Sequence, residues 1–378
     1  MGFTFQFIVR LFLTTIFSII LTPLIKLLAF KIGAVDKPGE RRINTKTMPT
    51  AGGLSIFITF SIAVLWEFWG TFSMNRVWPM LLGALIVVLT GLIDDVYELT
   101  PGQKTLGLTL AALVIYFVAD IRINTISIPL MGVVHLNWLS LPVTVIWILA
   151  ITNAVNLIDG LDGLASGISM IALVTIGLIS YFFLPATGVA LSVMIFILVA
   201  AIFGFFPYNF YPATIFLGDT GALFLGFMIS VFSLQGLKNA TFISVITPMF
   251  ILGVPITDTI FAMIRRRFNK QPISSADKMH LHHRLISLGF THRGAVLTIY
   301  AMAMVFSFIA LLMNYASTSA IILLVISTAF GLELFIELIG LVGVNRQPLM
   351  QALKFLGNRR YRQEVLKQPS DEEEDSED

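Results

Sequence analysis

Residues 138–184 read WLSLPVTVIWILAITNAVNLIDGLDGLASGISMIALVTIGLISYFFL, and this stretch decides the fold. Two apolar runs, 138–156 and 163–184, are each long enough to cross roughly 30 Å of hydrocarbon as a helix. A short polar segment that contains Asp159 and Asp162 separates them. The pattern therefore predicts two membrane-spanning helices, with carboxylates placed where the apolar runs end.

The same alternation of long apolar runs and short polar breaks continues along nearly all of the 378 residues. Hydrophobic residues make up 57% of the chain and charged residues 12%, whereas soluble proteins carry about 25% charge. Because cysteine is absent, disulfides and thiolate chemistry are excluded. We predict an all-α, polytopic integral membrane protein with about eleven transmembrane helices. The expected spans are 5–30, 52–69, 78–93, 105–119, 138–156, 163–184, 188–206, 220–236, 240–264, 294–314 and 318–341.

The charges in the connections predict the orientation. The connections are alternately basic and nearly uncharged, and basic connections favour the cytoplasmic side of a membrane. This rule places the N-terminus outside and the C-terminus in the cytoplasm. Residues 346–378 are expected to form a cytoplasmic tail with a disordered acidic end. The outer loop at 120–137 is either a small hairpin or a plain spacer.

Six carboxylates lie at the ends of the predicted spans rather than in their middles. A carboxylate in or beside a bilayer is energetically costly, so each one is a candidate functional group. The orientation puts all six at the cytoplasmic face, which predicts one charged site there. Asp258 has the weakest claim, because it lies late in the ninth span and an anchoring role would explain it. The six residues are Asp94, Asp95, Asp159, Asp162, Asp219 and Asp258.

Two acidic motifs contain the residue types of a divalent-cation site. In GLIDDVYELTPGQK, adjacent Asp94 and Asp95 precede Lys104, and neighbouring carboxylates share a divalent ion or leave one of the pair as a base. In FLGDTG, Asp219 is a hard oxygen ligand at a helix start, which suits Mg²⁺ carried with a diphosphate. The alternative in both motifs is a capping role at the start of the following helix.

The stretch NAVNLIDGLDGLASG combines amides, carboxylates and glycines. Its glycines let the backbone approach a ligand closely, and its polar side chains offer donors and acceptors for a base, a ribose or a sugar. The spacing differs from that of a calcium-binding loop, which has twelve residues and a closing glutamate. The candidate residues are Asn153, Asn156, Asp159 and Asp162 in this stretch, and Asn209 in the aromatic and proline-rich PYNFYPATIFLGDTGALFLG.

Basic residues and histidines are candidate phosphate ligands. The cations of DKPGERRINTKTMPTAGG bind phosphate, or else they are ordinary cytoplasmic charge. The HLHH sequence has no cysteine near it and lies between cations, so a phosphate or sugar contact is favoured over a zinc site or a purely structural role. The candidates are Arg41, Arg42 and Lys46 in the first segment, and His280, His282 and His283 in the second.

Three kinds of group are thus expected at the lipid boundary: carboxylates suited to Mg²⁺, cations suited to phosphate, and amide-rich loops. Together they indicate phosphoryl transfer between a water-soluble nucleotide and a membrane lipid. The alternative from another class is a transporter. Transporters place their polar sites near the middle of the membrane on broken helices, whereas these carboxylates lie at span ends.

Several long motifs in fixed order resemble the polyprenyl-phosphate N-acetylhexosamine-1-phosphate transferase family (glycosyltransferase family 4). Leu281 interrupts the run of histidines in HLHH, and in this respect the sequence resembles the branch of the family that acts on UDP-N-acetylglucosamine. The MurNAc-pentapeptide branch typically has three consecutive histidines at this place. The resemblance implies one transmembrane transferase domain over residues 1–345. The matching stretches are DKPGERR…PTAGG, GLIDDVYEL, TNAVNLIDGLDGLASG, FPYNFYPATIFLGDTGALFLG and DKMHLHHRLISLGFTHR.

The resemblance implies transfer of GlcNAc-1-phosphate from UDP-GlcNAc to undecaprenyl phosphate, with release of UMP, at a bacterial cytoplasmic membrane. It implies Mg²⁺, for which Mn²⁺ substitutes, and a step that begins the synthesis of teichoic acid or a related surface polysaccharide. Another UDP-N-acetylhexosamine or UDP-MurNAc-pentapeptide is the alternative donor. Besides both substrates and the lipid bilayer, a second copy of the chain is an expected partner, as a homodimer, and nucleic acid is not.

The resemblance also implies roles for the residues. Asp219 matches the family's metal-binding aspartate, and the acidic pair Asp94 and Asp95 helps to hold the metal or accepts a proton. Direct in-line attack by the lipid phosphate is expected, with a covalent aspartyl-phosphate as the alternative. The predicted catalytic residues are Asp94, Asp95, Asp219, His282 and His283. The predicted substrate-binding residues are Asn153, Asn156, Asp159, Asp162, Asn209 and His280, together with the basic residues Arg41, Arg42, Lys46 and Lys104, which are candidates because of their charge.

Overall fold

The computed structural model of the chain describes residues 4–37, 46–69, 74–75, 77–128, 132–184, 188–235, 242–268, 280–340, 347–358 and 362. These residues form fourteen α-helices, two short β-hairpins and one 3₁₀ turn at Asn137–Leu139. The strands are β1 (Val35–Asp36), β2 (Met48–Pro49), β3 (Thr125–Ile128) and β4 (Gly132–His135). The helices are α1 (Phe5–Ile32), α2 (Gly52–Phe68), α3 (Val77–Tyr97), α4 (Pro101–Phe117), α5 (Ser140–Ile158), α6 (Leu164–Phe183), α7 (Gly188–Asn209), α8 (Gly218–Gln235), α9 (Phe242–Ile251), α10 (Gly253–Phe268), α11 (Leu281–Ser287), α12 (His292–Met313), α13 (Thr318–Ile339) and α14 (Pro348–Gly357).

Most of the expected spans are present as single helices. Among the described residues, eight helices are long and apolar enough to cross a membrane, and each coincides with an expected span. They are α1, α3, α5, α6, α7, α8, α12 and α13, while α2 is apolar but has only 17 residues. The protein is therefore an integral membrane protein, as its composition predicts.

The ninth expected span, 240–264, is not one continuous helix, so that expectation is wrong. The structure has two helices, α9 and α10, which meet at Leu252. Pro255 lies in the first turn of α10 and has no N–H to donate to the carbonyl of Ile251, with which its ring would clash in a continuous helix. The chain therefore ends one helix and begins another, although its composition stays apolar.

In two other regions the structure adds to the sequence-based expectation or decides between its alternatives. The tail expected at 346–378 contains a helix, α14, and its acidic end lies outside the described residues. At 120–137 the hairpin alternative is confirmed, because β3 and β4 pair antiparallel, with Thr125 opposite His135 and Ile128 opposite Gly132.

Helix α8 lies at the centre of the fold, and every residue from Thr220 to Leu234 is buried. Glycines allow its neighbours to come very close. A Cβ on Gly53 of α2 would lie 2.0 Å from the Cα of Gly221, and a Cβ on Gly91 of α3 would lie 2.6 Å from the backbone of α8. This packing fixes the start of α8 against α2 and α3. In contrast, α1 and α13 are the least buried of the apolar helices and lie at the periphery.

The segment that leads into α2 also holds the start of α8. The N–H of Phe216 donates to the carbonyl of Pro49 in β2 at 2.8 Å, and the N–H of Gly52 donates back to the carbonyl of Phe216 at 3.1 Å. These backbone hydrogen bonds join two loops that are far apart in sequence. They place the residues before α8 beside the hairpin of β1 and β2.

Candidate active site

A cavity of about 1340 Å³ lies where α3, α5 and α8 end or begin. The structure brings five of the six predicted carboxylates into its wall and leaves Asp258 out. Several predicted polar residues line it as well, and so do other residues that the sequence did not single out. The predicted residues in the wall are Asp94, Asp95, Asp159, Asp162, Asp219, Lys46, Lys104, Asn156, Asn209 and His283, and the additional ones include Asp36, Glu98, Tyr211 and His292.

The ammonium group of Lys104 lies between two carboxylates of the cavity. Its Nζ is 2.6 Å from Oδ2 of Asp94 and 2.7 Å from Oδ2 of Asp219. A capping box starts α4 and orients its first turn, since Thr100 and Gln103 each accept the other's backbone N–H. Two carboxylate oxygens from different helices therefore converge on one cation.

The carboxylate of Asp95 accepts hydrogen bonds from the start of α8. Its carboxylate accepts the N–H groups of Asp219 and Thr220, each at 3.0 Å, and the hydroxyl of Thr220. A carboxylate at a helix N-terminus is stabilised by these donors and by the helix dipole. Asp95 thus caps α8 rather than α4, the helix that follows it in sequence and that Thr100 caps. The side chain of Asp219 is left to face Lys104.

Asp159 and Asp162 follow α5 in a loop that crosses the cavity. Asp162 accepts the N–H of Ala213 through Oδ2 at 2.9 Å, which ties this loop to the segment before α8. Protein atoms surround the carboxyl group of Asp159 although the residue as a whole is partly exposed. This burial, together with the negative charge of Asp219 and of the neighbouring aspartates, raises the pKa of Asp159 well above its usual range.

The three histidines of HLHH do not share one role. His283 lines the cavity, whereas His280 and His282 are buried and lie outside its wall. Burial lowers the pKa of His282 to about 3, so its ring is neutral at physiological pH. His280 and His282 thus lie away from the wall that His283 lines, and their predicted substrate contacts stay predictions.

The three predicted asparagines also have different surroundings. Asn156 donates to Oδ1 of Asp219, next to the Lys104 contact. Asn209 is buried, accepts the hydroxyl of Ser166 at 2.7 Å and donates to the carbonyl of Ile215, so it holds the loop before α8. Asn153 lies outside the cavity wall and donates to the carbonyl of Leu149 in its own helix. Its predicted substrate contact stays a prediction.

The predicted basic residues of DKPGERRINTKTMPTAGG are only partly described. Lys46 lines the cavity, as does Asp36 of β1. Arg41 and Arg42 lie outside the described residues. The cavity thus contains at least two cations suited to phosphate, Lys46 and Lys104.

An aromatic pair that the sequence did not reveal forms another part of the wall. The rings of Tyr211 and His292 stack with centroids 4.5 Å apart, and Nε2 of His292 accepts the N–H of Asp162 at 3.1 Å. His292 begins α12 directly after its cap, Thr291, so its place in the sequence is that of an ordinary helix start. Only the folded loops bring it to the cavity.

The donor set fits a hard divalent cation in part. Within the described parts of the chain, no three histidine, aspartate or glutamate side chains converge on one point. Mg²⁺ usually takes one or two carboxylates and completes its shell with water and substrate phosphate. Asp94 and Asp219 already converge on a positive charge, and Asp159 lies in excess negative charge, so these oxygens fit that requirement.

Comparisons with known proteins agree with the motifs. Residues 77–237 match the family model described as glycosyl transferase family 4. The chain is 40% identical to a Bacillus subtilis protein named probable undecaprenyl-phosphate N-acetylglucosaminyl 1-phosphate transferase, over 94% of this chain and 98% of that protein. It is 34% identical to the decaprenyl-phosphate N-acetylglucosaminephosphotransferase of Mycolicibacterium smegmatis, over 73% of this chain and 74% of that protein.

A relative from the other branch is also similar. The chain is 31% identical to the phospho-N-acetylmuramoyl-pentapeptide-transferase of Chlorobium phaeobacteroides, over 74% of this chain and 83% of that protein. The names of these three relatives contain different lipid carriers or sugars. Because the first of these matches extends over nearly the full length of both proteins, the chain belongs to glycosyl transferase family 4, the polyprenyl-phosphate N-acetylhexosamine-1-phosphate transferases.

Proposed function

We propose that the protein transfers GlcNAc-1-phosphate from UDP-GlcNAc to undecaprenyl phosphate, giving undecaprenyl-diphospho-GlcNAc and UMP. The observation that carries the proposal is the meeting of Asp94, Lys104 and Asp219 in one cavity at the ends of apolar helices. A relative named for this acceptor and sugar supports it. We place the reaction at the bacterial cytoplasmic membrane, with the cavity open to the cytoplasm. The reaction would be the first membrane step of teichoic acid or related polysaccharide synthesis, and the enzyme would act as a homodimer.

The reaction needs little base catalysis. The second pKa of a phosphate monoester is about 6, so the lipid phosphate is largely a dianion at pH 7. One of its oxygens forms a bond to the β-phosphorus of UDP-GlcNAc, while the bond from this phosphorus to the bridging oxygen breaks and UMP leaves with the electron pair. The main obstacle is repulsion between the dianion and the diphosphate, which positive groups must offset.

The cavity contains the groups for that task. Lys46 and Lys104 would neutralise phosphate oxygens, and the Asp162 loop would orient the nucleotide sugar. Asp219 and Asp94 would hold Mg²⁺, for which Mn²⁺ substitutes, and the bound ion would neutralise the diphosphate. Asn156 would keep the Asp219 carboxylate oriented through its hydrogen bond.

Direct displacement is favoured over a covalent aspartyl-phosphate. Both oxygens of Asp95 accept hydrogen bonds from α8, and Asp94 is bonded to Lys104 and to the N–H of Leu99. Asp159 has a raised pKa, which favours the protonated and poorly nucleophilic acid. We therefore expect inversion at an isotopically chiral β-phosphorus, measured after a single turnover. Retention would require two displacements and would contradict the direct route.

A transfer assay tests the proposed function. Purified protein in detergent receives undecaprenyl phosphate and, in separate reactions, radiolabelled UDP-GlcNAc, another UDP-N-acetylhexosamine or UDP-MurNAc-pentapeptide. We expect labelled lipid and UMP with UDP-GlcNAc and much slower reaction with the other donors. Preference for UDP-MurNAc-pentapeptide would assign the protein to the other branch, and absence of UMP with every donor would contradict the transferase. Since no sealed compartment is present, transport cannot produce this result.

A further inference from the structure

Asp258 is a buried carboxylate outside the cavity, and the proposed reaction gives it no role. It lies on α10 and is 3% exposed. Its Oδ2 is 2.9 Å from Nδ1 of His280, and its Oδ1 accepts the N–H of Leu281 at 2.8 Å. Both partners belong to the start of the histidine segment, so a single side chain of α10 holds this start in place.

Helix α11 depends on such a contact from outside. It has seven residues, which is too short for a helix to be stable without tertiary contacts. His280 is its N-cap residue, but its side chain makes no capping hydrogen bond. The first N–H groups of a helix need acceptors, and Asp258 supplies one for Leu281. A capping carboxylate from another helix replaces the local cap that the sequence lacks.

A row of imidazole rings leads from Asp258 to the cavity. The rings of His280 and His282 are parallel, with centroids 6.0 Å apart, and the ring of His283 is 4.2 Å from that of His282. His283 lines the cavity. His282 packs on the loop of Asp159 and Asp162 so tightly that a Cβ on Gly160 would lie 2.2 Å from its Nε2. His282 therefore lies between His280 on one side and both the cavity histidine and this loop on the other.

We propose that Asp258 is a positioning residue, which fixes His280 and the start of α11 so that His283 and the Asp159–Asp162 loop are correctly placed for the nucleotide-sugar donor. The inference rests on the proposed function, because it assigns this wall of the cavity to the donor rather than to the lipid. This wall carries the polar side chains of Asp159, Asp162 and His283 on a loop and a short helix, and such groups suit a sugar and a nucleotide.

The variant Asp258→Asn tests the proposal with little change in volume. The amide oxygen can still accept the N–H of Leu281, but the charged partner of His280 is lost. We expect the KM for UDP-GlcNAc to rise about tenfold, the size expected for one charge-assisted hydrogen bond, and the KM for undecaprenyl phosphate to stay unchanged. In a His280→Ala background, Asp258→Asn should change the donor KM no further, since its effect acts through that ring.

Glu337→Gln is a matched control. Glu337 is also 3% exposed and also caps a short helix, because it accepts the N–H groups of Leu349 and Met350 at the start of α14. Its loss removes a buried capping carboxylate of similar kind without touching the histidine row. We expect unchanged KM values for both substrates in this variant.

A second readout does not depend on turnover. The chain has no cysteine, so Ser287→Cys at the exposed end of α11 allows a single nitroxide label. We expect the label to become more mobile with Asp258→Asn and to stay as in the parent protein with Glu337→Gln. Unchanged donor KM and unchanged mobility would overturn the proposal, and so would an equal rise of both KM values. If the parent protein transfers no GlcNAc-1-phosphate, the proposed function fails, while the label still decides whether Asp258 positions α11.

Discussion

Asp219→Ala is expected to lower the turnover number by about 10³-fold, at the upper end of what loss of one electrostatic group at a reacting centre costs. The Asp219 carboxylate is one of two that converge on the Lys104 ammonium, where positive charge would face the diphosphate. The fold should persist for two reasons. Lys104 keeps its contact with Asp94, and Asp95 caps α8 through backbone N–H groups that the substitution leaves in place.

The variant also tests the proposed metal site without any turnover. A ligand at 100 times its Kd stabilises a protein by about 2.7 kcal/mol. We expect Mg²⁺ to raise the unfolding temperature of the parent protein and to have little effect on Asp219→Ala. Asp120→Asn is the control, because Asp120 is an exposed carboxylate and asparagine accepts its positive φ of 51°. Near-normal turnover of Asp219→Ala across Mg²⁺ concentrations would show that Asp219 does not hold the metal.

The positions of the helices follow from composition, because a span needs about 20 apolar residues and this requirement is local. Helix α6 at Leu164–Phe183 matches the expected span 163–184 to within one residue at each end. The break between α9 and α10 could not be predicted in the same way. Its cause is the backbone chemistry of Pro255 and not hydropathy, and prolines also occur within intact helices here, such as Pro23 of α1.

The grouping of the carboxylates could be predicted from the sequence, whereas their individual partners could not. The expected orientation places all six span-end carboxylates on one face, and five of them line one cavity, while Asp258 lies outside its wall. The capping of α8 by Asp95 joins residues 124 positions apart. No pattern within either motif distinguishes Asp95 from Asp94, since they are adjacent in one helix and differ only in the direction of their side chains.

The separate roles of the three histidines in HLHH are even harder to predict from the sequence. HLHH predicts a cluster of equivalent ligands, but helix geometry turns consecutive side chains by about 100°. His282 therefore packs inward on Gly160 while His283 faces the cavity. His280 lies before the helix and turns to Asp258. The role of each ring depends on which neighbours α10 and the Asp159–Asp162 loop place beside it.

Lys104→Met is expected to lower kcat/KM for UDP-GlcNAc by about 100-fold and to make folding depend on divalent cations. Methionine keeps the length of the side chain but removes the charge that Asp94 and Asp219 share. Removing one partner of a buried ion pair costs about 3–5 kcal/mol. Because Lys104 is 20% and Asp219 29% exposed, solvent screening should reduce the loss to about 2 kcal/mol.

The dependence on divalent cations separates two roles of this lysine. Mg²⁺ should restore the unfolding temperature of Lys104→Met, because a cation between the two carboxylates offsets their repulsion in place of the ammonium group. Lys31→Met, at an exposed lysine in the last turn of α1, should show neither effect. If Mg²⁺ restores stability but not kcat/KM, the ammonium group also acts on the substrate. If the unfolding temperature of Lys104→Met is normal without Mg²⁺, the three side chains do not form the charge cluster on which the proposed site depends.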